Sequence, residues 1–173
     1  MANERPLMTG LFPDRDSAEQ GYNALADRGY SKDDVNVVMS EDTKKRHFMS
    51  SGAETELGNK AAEGAGVGGA IGGTLGAIAA AVAAVGTTIA LPGLGLVIAG
   101  PLAAAIAGAG AGAATGGIVG ALVGWNIPEE RVKKYDEGIR KGGILMGVRP
   151  KNDEDAAHFE NSWKTNRAQD IYR

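Results

Sequence analysis

"GLFPDRDSAEQGYNALADRGYSKDDVNVV", residues 10–38, and "GVRPKNDEDAAHFENSWKTNRAQDIY", residues 147–172, follow one plan. Each opens with an apolar run, meets a proline, enters a helix rich in Asp near its start, and closes on a second hydrophobic run. In the first stretch, residues 7–12 predict a strand ended by Pro13. Asp16 or Ser17 is placed to cap a helix, and Ala18, Tyr22, Leu25 and Ala26 recur on one face of it. Gly29 ends that helix, and residues 35–39 predict the next strand. The second stretch repeats the order. Residues 144–148 predict a strand, Asp153 begins a helix with Ala156, Phe159 and Trp163 on one face, and residues 168–172 read as a last strand.

Two βαβ units of this length pair into one four-stranded sheet with helices on one face. The expected class is α+β, a ferredoxin-like split βαβ domain. Residues 1–40 supply its first half and 128–173 its second. In the second half, Pro128 opens a helix whose Glu129 and Glu130 suit the positive end. Val132, Tyr135 and Ile139 form its apolar face, and Gly142-Gly143 stops it. Residues 41–63 read as a polar linker, with a short helix near 54–60. Its Lys44-Lys45-Arg46 triplet is a solvated charge run, or a contact for anionic lipid.

Between the halves lies an inserted Gly/Ala-rich α-helical hairpin, residues 64–127. All 18 basic and 21 acidic side chains lie outside residues 64–128, a window that holds 18 Gly and 19 Ala. Pro92, Gly93 and Gly95 mark a turn, and Gly100-Pro101 a second break. This predicts helices over about 64–90 and 101–125, each roughly 37–40 Å long and sufficient for a hydrocarbon core of about 30 Å. Gly64, Gly68, Gly72 and Gly76 form a bare ridge on the first helix, and Gly108, Gly112, Gly116, Gly120 and Gly124 one on the second.

An interior glycine costs a helix about 1 kcal/mol relative to Ala. The seven glycines from 108 to 124 therefore cost roughly 6–7 kcal/mol. Such a segment needs a setting where unpaired backbone is costlier still, or a neighbour that packs against missing side chains. Two settings meet the need: a membrane hairpin, and a soluble homo-oligomer whose hairpins bury one another. In the first, Trp125 lies at the membrane interface and Lys60, Arg131, Lys133 and Lys134 keep both termini in the cytoplasm. The neutral 91–100 loop would then lie across the bilayer.

Net charge is −3 and cysteine is absent, which excludes a disulfide framework and gives no nucleic-acid surface. His47 and His158 lack metal-ligand spacing, and Asp33-Asp34 and Glu129-Glu130 read as turn and helix-start residues. The G-x-G-x-x-G match at Gly64 lacks its strand–turn–helix context. The residues point to no catalytic group, no cofactor, no metal and no small-molecule substrate. The expected partners are copies of the chain itself and a lipid bilayer.

The first quoted stretch resembles the start of the bacterial heat- and general-stress protein family (YflT-like). "LPGLG", "AGPLAAAIAGAGAGAATGGIVGALVG" and "IPEERVKKYDEGIRKGGILMGVRP" resemble bacterial general stress or low-temperature-induced proteins. The resemblance covers most of the chain except 41–60 and implies a stress-linked role without established chemistry. The expectation is a non-enzymatic stress-response protein at the cytoplasmic membrane, self-assembling through a glycine zipper. The alternative is a soluble cytoplasmic ring, shell or filament.

Overall fold

A computed structural model describes residues 5–49, 89–91, 95–103, 122 and 127–173. In chain order the elements are β1 (Met8–Phe12), α1 (Arg15–Ala26), β2 (Val35–Ser40), α2 (Glu41–Lys44, widening into a π-helical turn at Lys45–Met49), β3 (Ile89–Leu91), β4 (Leu96–Ala99), α3 (Glu129–Arg140), β5 (Ile144–Val148), α4 (Asp153–Thr165) and β6 (Gln169–Tyr172). Residues 101–103 add one helical turn.

Local chemistry fixes the helix ends. Asp14 caps α1, its carboxylate accepting from the Ser17 amide at 2.8 Å. The cap thus precedes the Asp16 or Ser17 expected. Asp14 still holds extended backbone, so its side chain can reach the third amide of the first turn. Asn152 does the same for α4, accepting from Asp155 N at 2.7 Å. On α1, Ala18, Tyr22 and Leu25 are buried as expected, but Ala26 is exposed. Ser17 and Gly21 complete the stripe instead, because Ala26 stands about 100° around from Leu25.

The strands form one antiparallel sheet in the order β3-β4-β2-β5-β1-β6. β5 lies between β1 and β2, with Val148 opposite both Met8 and Val35. Both neighbours run against β5, so they run parallel to each other. The chain is α+β.

Helices were expected on one face only. Both faces are covered, and strands β1, β4 and β5 are buried along their whole length. Met8, Phe12, Val37, Met39, Val97, Ile144 and Met146 point to the side of α1 and α4, where Phe159 and Trp163 complete a core. Leu11, Val38, Leu96, Ile98 and Leu145 point the other way. There Val132, Tyr135 and Ile139 of α3 join Leu102, Ala103, Leu122 and Ile127. Alternation along each strand sorts the two sets.

The middle of the charge-free section departs most from expectation. Ile89 and Ala90, placed at the end of a long helix, and Leu91, placed in the loop after it, form β3. Residues 91–100, placed across a bilayer, contain β4, and β4 pairs with β2 from Val37↔Ala99 to Ser40↔Leu96. The run Leu96-Val97-Ile98-Ala99 is short, apolar and bounded by Gly95 and Gly100. That favours a strand wherever a sheet edge is free to accept it. Leu96, Val97 and Ile98 are each 2% exposed or less, and their burial is worth roughly 4–6 kcal/mol after discounting a compact unfolded state. The hairpin is therefore well held.

Gly95, the one predicted site residue among those described, sits in a turn between β3 and β4 and not between the two helices expected. Its φ is +64°, and its carbonyl accepts from Glu41 N at 2.7 Å. Gly64, Gly68, Gly72, Gly76, Gly108, Gly112, Gly116, Gly120, Gly124, Pro92, Gly93 and Trp125 lie outside the described residues, as does the short helix expected near 54–60. The helix expected from 101 is present at 101–103, and Leu122 is helical. Among the described residues no helix is long and apolar enough to cross a membrane.

Gly100 allows the chain to leave β4. Its φ is +101°, and a Cβ there would stand 2.3 Å from the Val35 carbonyl oxygen. Gly100→Ala should cost about 2 kcal/mol or more in denaturant unfolding. An unchanged midpoint would show that the chain does not turn so tightly against β2.

Candidate functional site

The described middle of the charge-free section meets the sheet at Asn36. This residue sits in β2 among Val35, Val37 and Val38, and its side chain is buried on the α3 side. Its Oδ1 accepts from the Leu102 amide at 2.7 Å, and its Nδ2 donates to the Gly147 carbonyl at 3.4 Å. Helix starts leave their first amides without backbone partners, and Asn36 supplies one to the turn at 101–103 from another strand. One side chain thus ties β2, β5 and the beginning of the second glycine-rich stretch. A polar residue inside an apolar strand was the available signal, and its partner could not be read from spacing.

Beside this tie lies a cleft of about 330 Å³, lined by Leu7, Asp33, Asp34, Asn36, Pro101, Leu102 and Arg149. Its groups are largely committed elsewhere. One Asp34 oxygen accepts from both the amide and the hydroxyl of Ser31, at 2.8 Å each, which fixes the turn into β2. The Asn36 amide is used as described. Asp34 therefore serves as the turn chemistry expected of it, and the Asp33 backbone amide donates to the Ser31 hydroxyl at 3.3 Å.

Two other polar clusters are structural pins. Tyr30 OH donates to Asp155 Oδ2 at 2.8 Å and accepts from Lys151 N at 2.6 Å. Asp155, almost wholly buried, also accepts from Arg28 at 3.1 Å and from Asn152 at 3.0 Å. The network joins the loop before β2 to the start of α4. Burial, reinforced by the neighbouring Asp155 carboxylate, pushes the Tyr30 hydroxyl up to about 12, although the Lys151 amide opposes it. On the other face Tyr135 OH donates to the Asp170 carbonyl at 2.7 Å and pairs with the Thr9 hydroxyl at 2.9 Å. Its pKa is raised as well, mainly by burial. Neutral, fully bonded tyrosines at these sites hold elements together and have no proton to exchange near neutral pH.

His47 and His158 are exposed. Among the described residues no group of three His, Asp or Glu converges as a metal site. Lys45 and Arg46 are exposed on the turn after α2, and Lys44 is half-buried. No protein-family model, no curated protein and no solved structure matches this chain.

Asn36→Ala should cost about 1–3 kcal/mol, because a buried amide loses its acceptor. Thermal unfolding tests this, and an unchanged midpoint would remove the tie. The tyrosines set an alkaline limit. A raised folded pKa gives stability that is complete below about 10 and lost as pH rises through about 12. Melting temperature should fall across that window, and the fall should be shallower in Tyr30→Phe.

Proposed function

We propose that this chain is a non-enzymatic, self-assembling protein. Its α+β domain presents glycine-rich segments for packing against copies of itself. The stress-linked role comes from the family resemblance. We also read β2-β5-β1-β6, with α1 and α4 on one face, as a ferredoxin-like split βαβ core into which the charge-free section is inserted. α3 would then be an addition to the opposite face.

One observation carries the self-association reading: the pairing of β4 with β2. The charge-free section is anchored at its middle by this ladder and near its second end by Ile127 in the α3-side core. Bare-backbone stretches held this way are offered from a fixed base. Small-xxx-small ridges gain most when another such ridge lies against them, since close approach recovers dispersion contacts. A rigid base lowers the entropy lost in that packing.

A second reading keeps the bilayer as partner and places the chain at the cytoplasmic membrane. It is favoured by the absence of Asp, Glu, Lys and Arg from residues 64–128. Glycine packing between chains is common to both readings.

Size measurement with and without detergent tests the proposal. A defined oligomer without detergent is expected. Replacing Gly112 and Gly116 with Leu should shrink it toward the monomer, although the change adds apolar surface. A monomeric native chain, or a variant of unchanged particle size, would overturn self-association through these ridges.

A further inference from the structure

We infer that, with the β3–β4 hairpin docked on β2, this chain does not cross a bilayer, and any partner is met on the domain's own side. This goes beyond self-association, because it fixes the side on which any partner is met. It rests on where the connections begin and end and on how long they are.

Residues 104–121 leave from Ala103 and return to Leu122, and both are buried in the same core on the α3 face. A single crossing would part those ends by the thickness of the hydrocarbon core, about 30 Å, and put one of them on the far side. A return crossing needs two helical passes of about 20 apolar residues each, and this connection has 18 residues. The earlier connection, residues 50–88, leaves from the turn after α2 and returns to β3. β3 is joined through β4 to β2, the strand that α2 directly follows. The stretch from 64 to 88 is apolar enough for one pass only, because Glu54, Glu56, Lys60 and Glu63 occupy the part before it. One pass would strand β3 on the wrong side of the membrane.

The outer face of α3 agrees. It carries the (i, i+4) pairs Glu129–Lys133, Asp136–Arg140 and Glu137–Lys141, at 3.5, 2.9 and 3.9 Å. Such a face belongs in water.

The chain has no cysteine, so single thiols report cleanly. Leu94→Cys, between β3 and β4, and Glu137→Cys, exposed on α3, are made in the full chain by cell-free synthesis with sealed phosphatidylcholine–phosphatidylglycerol vesicles. A membrane-impermeant maleimide is added before or after detergent. The expected result is equal labelling of both positions before detergent, whether or not the protein binds the vesicles. Labelling of position 94 only after detergent, with position 137 open before it, would overturn the inference.

A second pair guards against a misfolded turn variant. Val38→Cys with Ile98→Cys joins facing positions of β2 and β4. Oxidation should leave vesicle binding unchanged. Binding lost on oxidation and restored by reductant would show that the hairpin must undock, and would also overturn the inference. Particle size is read separately, so failure here is distinct from failure of self-association.

Discussion

The insertion of β5 between β1 and β2 is the constraint on which the rest depends. Five residues from near one end of the chain fill the gap between two strands from the other end. Val148 faces Met8 on one side and Val35 on the other. Every backbone group of a central strand must find a partner, because water cannot reach it. β5 supplies those partners to both neighbours and so forces the two halves of the chain into one sheet. α1 and α4 then lie on one face because each follows a strand of that sheet and returns to another.

Once the centre is fixed, the remaining edges decide the periphery. The outer edge of β1 takes β6 with a change of register, Thr9 facing Tyr172 and Leu11 facing Gln169. The extra residue is accommodated at Asp170, whose φ is +49°. Asp is one of the few side chains that enter this region at modest cost. The outer edge of β2 takes β4, and β4 takes β3. Three apolar residues are withdrawn from water there and Asn36 is satisfied. The charge-free section is thereby joined to the domain at its middle as well as near its second end. That bears directly on what a glycine-rich segment can do, since attached ends limit reach more than composition does.

Much of the domain was legible in the sequence. β1, α1, β2, α3, β5, α4 and β6 all fall near the positions that periodicity and breakers indicate. The buried stripes Val132/Tyr135/Ile139 and Ala156/Phe159/Trp163 are those that helical spacing picks out. Of the predicted site residues only Gly95 can be placed, and it lies in a turn as its type suggests. What spacing missed is nonlocal. Asn36 gave a polar signal inside a strand, but its partner lies at Leu102, far along the chain. β4 was absorbed into a loop because four apolar residues between glycines look alike in a loop, a helix end and a strand.

The sequence alone determined the local elements of the two end sections, their matching plan and the absence of charge between them, because these follow from short-range sterics, capping and the period of apolar residues. Only the tertiary structure decided that both faces of the sheet are covered and that residues 96–99 extend it. A strand's assignment depends on whether a hydrogen-bonding edge is available nearby. That edge exists only after distant parts of the chain have come together.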